Sequence, residues 1–245
     1  MDALSLFDLT RNELRRLLSS QFPANFDLEN TLTAYAYWVC TVVRTRGKDW
    51  GMTVQEYVGL AVRDALLESQ AAQIELEVLR RELRQTASPL LDVGAGWGRI
   101  APLYAELGLQ CVFVEPSSLG CQLLRRNGII RSVRGLGQHL SFPERTFPSV
   151  IIGWVLYHDA PDVPSDAILK EIARVITPGG RLLSIEPLSI DYDAQKWLAW
   201  IESAGFEIEK LENYFEMFPP GTKSEQYACL TAVRRLEQSF PVLIP

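Results

Sequence analysis

Apolar residues fall into two regimes along the chain. Up to about residue 88 they recur at three- and four-residue steps, the spacing of helices buried along one face. From Leu90 onward, short apolar runs alternate with helical stretches, the pattern of a sheet with crossover helices. In the first region, Thr10-x-x-Glu13 and Thr53-x-x-Glu56 have capping-box form and predict helices beginning near Arg11 and Val54. Between them, residues 32–46 carry Tyr35, Tyr37, Trp38, Val39, Val42 and Val43 in an aromatic-rich predicted helix, which Gly47-Lys48-Asp49-Trp50-Gly51 breaks. Residues 54–84 place Val54, Tyr57, Val58, Ala61, Ala65, Leu66, Ala72, Leu76, Leu79 and Leu83 on one face of a long helix. The interleaved Glu75, Glu77, Arg80, Arg81, Glu82 and Arg84 are expected on its solvated side.

In the second region the predicted strands are residues 90–93, 111–114, 129–134, 150–154 and 181–186, followed by a closing pair over 206–211 and 226–233. The predicted helices cover residues 119–127, with Gly128 as C′ residue, and residues 166–176 and 192–204. Thr177-Pro178-Gly179-Gly180 stops the second of these, and residues 213–223, with Pro219-Pro220-Gly221, join the final strand pair.

Composition narrows the field. With 245 residues, 47% of them hydrophobic, the chain has ample material for a large core, and a net charge of −6 gives no field to hold a polyanion, so no nucleic-acid partner is expected. Cys40, Cys111, Cys121 and Cys229 form no C-x-x-C pair and read as free thiols. No apolar run approaches a membrane span and the first residues lack a signal-peptide core, which points to a reducing, cytoplasmic setting without a membrane partner.

The chemistry centres on Leu90-Leu91-Asp92-Val93-Gly94-Ala95-Gly96-Trp97-Gly98-Arg99-Ile100, a strand, a glycine turn and a helix start. Gly94 and Gly96 permit backbone angles closed to other residues and let a ligand lie on the main chain. Gly98 permits close helix packing, and the helix N-terminus is expected to offer free N–H groups. Glu115 ends the next apolar run, roughly 20 positions beyond the turn, where an acidic residue holds a ribose through its hydroxyls. A dinucleotide turn, G-x-G-x-x-G, requires glycine where Arg99 stands.

The string instead resembles the acidic-x-G-x-G-x-G signature of class I S-adenosylmethionine-dependent methyltransferases. The resemblance runs on to about residue 234 through Glu115, Leu140-Ser141-Phe142-Pro143, Trp154-Val155-Leu156-Tyr157-His158 and Thr177-Pro178-Gly179-Gly180. Phe147-Pro148 departs from the family's Phe-Asp, in what reads as a turn. The resemblance implies an α/β fold, a Rossmann-like, mostly parallel seven-stranded sheet with a C-terminal antiparallel hairpin, plus an N-terminal helical cap. The expected domains are residues 1–88, a cap or lid; 89–236, the S-adenosylmethionine-binding domain; and 237–245, a loose tail. The N-terminal helices suit packing at the sheet edge, a homodimer interface, or a lid whose Tyr35, Tyr37, Trp38 and Trp50 exclude water.

By the same resemblance, Asp92, Gly94, Ala95, Gly96, Trp97 and Gly98 line the methionine half of the cofactor, Glu115 the ribose, and Trp154 the neighbouring strand end. At the adenine the family presents an acid where this chain has Leu136, leaving Gln138 or main-chain carbonyls to substitute. Tyr157, His158 and Asp159 follow the fourth strand, near the transferable methyl, and His158 is the candidate base, with Glu186 as an alternative. His139 is given a structural role. Asp159 and Asp162 read as turn residues, and no metal is expected. The expected reaction is methylation of a small-molecule acceptor, most favourably at oxygen, with carbon or nitrogen left open; S-adenosylhomocysteine is the product. The family's Asn/Asp-Pro-Pro-Tyr/Phe motif for amino groups is missing at Gly153-Trp154-Val155-Leu156. The alternative is a non-catalytic S-adenosylmethionine- or S-adenosylhomocysteine-binding protein that acts through a partner.

Overall fold

A computed structural model of the chain describes residues 2–19, 28–43, 53–158, 164–188, 193–217 and 225–236. Trp50, Asp159, Asp162, the Pro219-Pro220-Gly221 turn and the tail 237–245 lie outside the described residues, as do the side chains of Val54, Tyr57, Val58, Ala61, Ala65 and Leu66.

The chain opens with α1 (Ala3–Leu18) and α2 (Leu28–Trp38), which continues as a π-helical turn over Val39–Val43. Helix α1 begins at Asp2, whose carboxylate caps the Ser5 amide at 2.9 Å, and not at Thr10. The apolar face of Phe7, Leu14 and Leu18 carries the helix back past Thr10, whose hydroxyl is left to bond the Leu6 carbonyl within it at 2.9 Å. The second capping box forms as its spacing predicts: Thr53 and Glu56 exchange bonds at the start of α3 (Val54–Leu83).

Then follow β1 (Leu90–Val93), α4 (Ala101–Glu106), β2 (Cys111–Glu115), α5 (Ser118–Arg126), β3 (Ser132–Arg134), β4 (Phe147–Gly153), a 3-10 turn at Leu156–His158, α6 (Ser165–Val175), β5 (Ile176–Leu188), α7 (Ala194–Ser203), β6 (Phe206–Met217) and β7 (Glu225–Arg234). The strands make one seven-stranded sheet in the order β3-β2-β1-β4-β5-β7-β6. Strands β1 to β5 pair in parallel, and β7 runs antiparallel between β5 and β6. Local differences from the sequence reading are of strand bounds. Strand β3 is shorter than the apolar run, β5 starts at Ile176, directly after the helix, and β6 extends to Met217. Pro148 sits inside β4, not in the preceding turn, at a register shift between Phe147 and Ser149, a break in pairing that tolerates its missing N–H.

Both sheet faces are covered, which is why the strands read as unbroken apolar runs. Leu91, Val93, Val150, Ile152 and Leu182 pack with Ile168, Leu169, Ile172, Trp197 and Ile201 of α6 and α7. On the other face Leu90, Ile151, Leu183 and Cys229 meet Val78, Leu79 and Leu83 of α3 and Leu103 and Leu124 of α4 and α5.

Two of the charged residues on α3 are buried, not solvated: Glu75 is 1% exposed and Glu82 4%. They lie one helical turn either side of Leu79, so the periodicity that buries Leu79 buries them as well. Glu82 accepts from Arg181 of β5 at 2.9 Å and Lys210 of β6 at 3.0 Å, which pins the end of α3 to the sheet. Helices α1 and α2 pack elsewhere, through Phe7, Leu14, Leu32 and Tyr35 against Leu119 and Leu123 of α5.

Candidate active site

At the carboxyl end of β1 the chain turns through Gly94, Gly96 and Gly98, with φ of +80°, +57° and +83°. Gly94 and Ala95 donate their amides to the Val114 carbonyl, at 2.9 and 3.1 Å, and Gly98 donates to the Ala95 carbonyl at 2.9 Å. The Gly94 and Ala95 amides tie the turn to β2 and the Gly98 amide closes it on itself; at the helix start the Ala101 and Leu103 amides donate to the Gly98 and Ile100 carbonyls, at 3.0 and 2.9 Å, so these two are not the free donors expected there. The Gly96 amide instead donates to Glu115 Oε2 at 2.8 Å.

Glu115 ends β2 and is 3% exposed. Its Oε1 accepts from the Ser117 amide at 2.8 Å and from the Tyr37 hydroxyl at 3.0 Å. Burial pushes its carboxyl pKa upward, against the lowering effect of these donors and of Gly96. Asp92 is buried beneath the turn and accepts from the Tyr104 hydroxyl at 2.8 Å. Burial raises its pKa to about 7, opposed by that hydrogen bond and by the Arg99 charge. On the adenine side Leu136 is exposed and Gln138 half-buried, in the turn closed by the His139 amide on the Leu136 carbonyl.

Directly after β4, Trp154 takes φ of +59°, and its indole N–H donates to Glu75 Oε2 at 3.0 Å. Glu75 also accepts from the Tyr214 hydroxyl at 2.9 Å and from Arg99. One carboxylate of α3 thus ties together the glycine turn, the loop after β4 and the hairpin. The sequence reading missed it; its spacing from Leu79 was the available signal. Glu186, fully buried, receives the amides of Val155, Leu156 and Tyr157 at 3.4, 3.1 and 3.3 Å. Burial raises its pKa to about 8 against those three bonds. Its oxygens are engaged in holding the loop.

That loop presents Tyr157 and His158, whose rings lie 3.9 Å apart. Trp38 of α2 stands 5.2 Å from His158 and 6.4 Å from Tyr157 between ring centroids. Trp154 continues the aromatic wall, 6.3 Å from Tyr157 and 5.4 Å from Tyr227. The structure therefore gathers Glu115, the glycine turn, Trp154, Tyr157 and His158 at the carboxyl ends of β1, β2 and β4, with Tyr37 and Trp38 alongside them. Strands β2 and β4 flank β1, and this switch in strand order is where open α/β sheets take ligands.

Residues 91–184 match the family described as a methyltransferase domain. The chain is 28% identical over 143 residues to the ubiquinone/menaquinone biosynthesis C-methyltransferase UbiE of Haemophilus ducreyi, covering 51% of this chain and 54% of that protein. It is 32% identical over 122 residues to the same enzyme of Escherichia coli, covering 43% and 47% respectively. The chain thus spans about half the length of the curated relatives it matches. Among solved structures, the cyclase SpnF superposes with a TM-score of 0.58 at 19% identity over 69% of this chain and 83% of that one. Geranyl diphosphate C-methyltransferase from Streptomyces coelicolor gives 0.53 at 16% identity over 69% and 80%.

The fold is that of the Rossmann-like methyltransferases. Residues 91–184 carry the likeness to the methyltransferase-domain family, and the fold around them is shared with S-adenosylmethionine-dependent methyltransferases of known structure.

Proposed function

We propose that this chain moves a methyl group from S-adenosylmethionine to a small molecule bearing a ring hydroxyl, at that oxygen or at the ring carbon beside it. The observation that carries the reading is Glu115, a buried carboxylate at the end of β2 fixed 2.8 Å from the amide of Gly96 in the glycine turn. The fit is one of shape and chemistry. Two acceptor oxygens suit the paired hydroxyls of a ribose, and beside Gly96, which carries no side chain, the Tyr37 ring is the neighbour a ligand lying along the turn would displace.

When bound, the cofactor supplies an electrophilic methyl on a sulfonium. The protein's part is alignment and proton management. Trp38, Tyr157 and Trp154 offer flat apolar faces on which a ring stacks. His158, at the rim of that wall, takes the proton of the acceptor's hydroxyl. An aromatic ring hydroxyl that has lost its proton is nucleophilic at oxygen and at the adjacent carbon; transfer to oxygen is then complete, whereas transfer to carbon ends when that carbon's own proton leaves and the oxygen regains one. The sequence alone favoured oxygen, whereas the UbiE relatives are named C-methyltransferases, which favours carbon. Helices α1 and α2 act in this reading as a lid, because Tyr37 and Trp38 reach the site.

Calorimetric titration with S-adenosylmethionine and S-adenosylhomocysteine tests the cofactor site. Micromolar binding that weakens by about a hundredfold in Glu115→Ala without disappearing is expected, and no binding to the wild-type chain overturns the reading. Labelled S-adenosylmethionine with a panel of phenols and hydroquinones, the products read by NMR, distinguishes oxygen from carbon transfer. His158→Ala should lower turnover by about a hundredfold or more, with cofactor affinity unchanged.

A further inference from the structure

We infer that Tyr37 is a gate on the nucleoside site, standing where the cofactor's ribose must bind and leaving only when the cofactor enters. The inference rests on the proposed role of Glu115 as ribose anchor. The Tyr37 hydroxyl donates to Glu115 Oε1 at 3.0 Å and lies 3.2 Å from Ser117 Oγ. Its ring covers the bare face of the glycine turn, 3.9 Å from where a Cβ on Gly96 would stand, and packs 5.2 Å from the Trp97 ring.

The Glu115 carboxylate has about four acceptor positions. The amides of Gly96 and Ser117 and the Tyr37 hydroxyl take three of them among the described residues. A ribose offering two adjacent hydroxyls needs two, so it cannot be fully held while Tyr37 stays. The two states are therefore exclusive, and the cofactor binds the fraction of molecules from which Tyr37 has withdrawn. Trp38, the next residue of α2, forms the acceptor-side wall beside His158 and Tyr157. Withdrawal of Tyr37 shifts that wall, so the acceptor pocket takes its working shape only after the cofactor is seated. Ordered binding follows, cofactor before acceptor.

The test is calorimetric titration of S-adenosylhomocysteine into the wild-type chain, Tyr37→Phe, Glu115→Ala and the double variant, each checked for folding by circular dichroism. Phenylalanine keeps the ring and removes the bond that holds the gate shut, so Tyr37→Phe should bind on the order of tenfold more tightly than wild type. In the Glu115→Ala background that gain should vanish, because the hydroxyl then has no anchor to release. Equal or weaker binding by Tyr37→Phe overturns the gate while leaving the cofactor reading intact. No binding by any of the four overturns both.

Discussion

The carboxylate of Glu75, on the long N-terminal helix, accepts the indole N–H of Trp154 at 3.0 Å, across the boundary between that helix and the loop after β4. Because Arg99 and Tyr214 bond the same carboxylate, its loss leaves a largely buried guanidinium with its charge unpaired. Glu75→Ala should cost about 3–5 kcal/mol of unfolding free energy, read from urea denaturation. Glu75→Gln, which keeps an acceptor for Trp154 or Tyr214, should cost less.

Asp92 makes stability depend on pH in a definite direction. Its native pKa is raised to about 7 from an ordinary 3.8, so between those values the native chain holds a proton that the unfolded chain has lost. Its contribution is complete below the lower value, declines as pH rises through the window, and is flat above it. Glu186, raised to about 8 from 4.5, adds a decline of the same sign. Urea midpoints should therefore fall between about pH 5 and about pH 8. In Asp92→Asn, which still accepts from Tyr104 but has no proton to release, the fall should be shallower. A slope as steep as that of the wild type would show that Asp92 titrates normally.

The two threonines with capping-box spacing should respond differently. Thr53→Ala removes a formed cap and should destabilise the start of α3 by about 1 kcal/mol. Asp2→Ala should cost a similar amount at α1. Thr10→Ala, inside α1, removes only a bond to the Leu6 carbonyl and should leave the α1 start intact. Hydrogen exchange of the first-turn amides distinguishes these sites.

Adjacent glycines of the turn should separate folding from binding. Gly98 has φ of +83°, and a Cβ there would also lie 2.6 Å from Ile129 Cδ1 and 2.9 Å from Leu124 Cδ2, so Gly98→Ala combines left-handed strain with displacement of two packed side-chain ends and should lower the melting temperature. A Cβ on Gly96 meets only an ordinary 3.9 Å contact with Tyr37, so the cost there is left-handed strain of about 1–2 kcal/mol. Gly96→Ala should fold and yet lose S-adenosylhomocysteine, because the new methyl stands on the face the ligand needs.

What could be read in advance was local in sequence. The apolar run into Gly94, and Glu115 at the end of the next strand, announce a nucleoside site because strand, turn and acid follow one another closely. Glu75 was assigned to water because its partners, Trp154 and Tyr214, lie 79 and 139 positions away, and no periodicity reveals which distant groups will come to share a carboxylate. Tyr37 was legible as an aromatic on a helix, but its meeting with Glu115 depends on how α2 folds back onto α5. Thr10 misled because a capping box is a competition among helix starts, and Asp2 with the apolar face behind it prevailed.

The ion pairs that add to the apolar packing of the N-terminal helices are of two unlike kinds. Helix α3 has buried carboxylates, Glu75 and Glu82, beside surface pairs of Arg80 and Arg81, whereas α1 and α2 are joined by Arg11 and Arg15 on Glu29, and α1 reaches α5 through Arg126 on Asp8, all at the surface. Dissolved ions shield the surface pairs and scarcely reach the buried carboxylates. Added salt therefore trims the surface pairs of α1 and α2, and those of α3 with Glu106 and Glu212, while the apolar seat of the outer helices on α5 and the buried carboxylate behind Trp154 keep their hold.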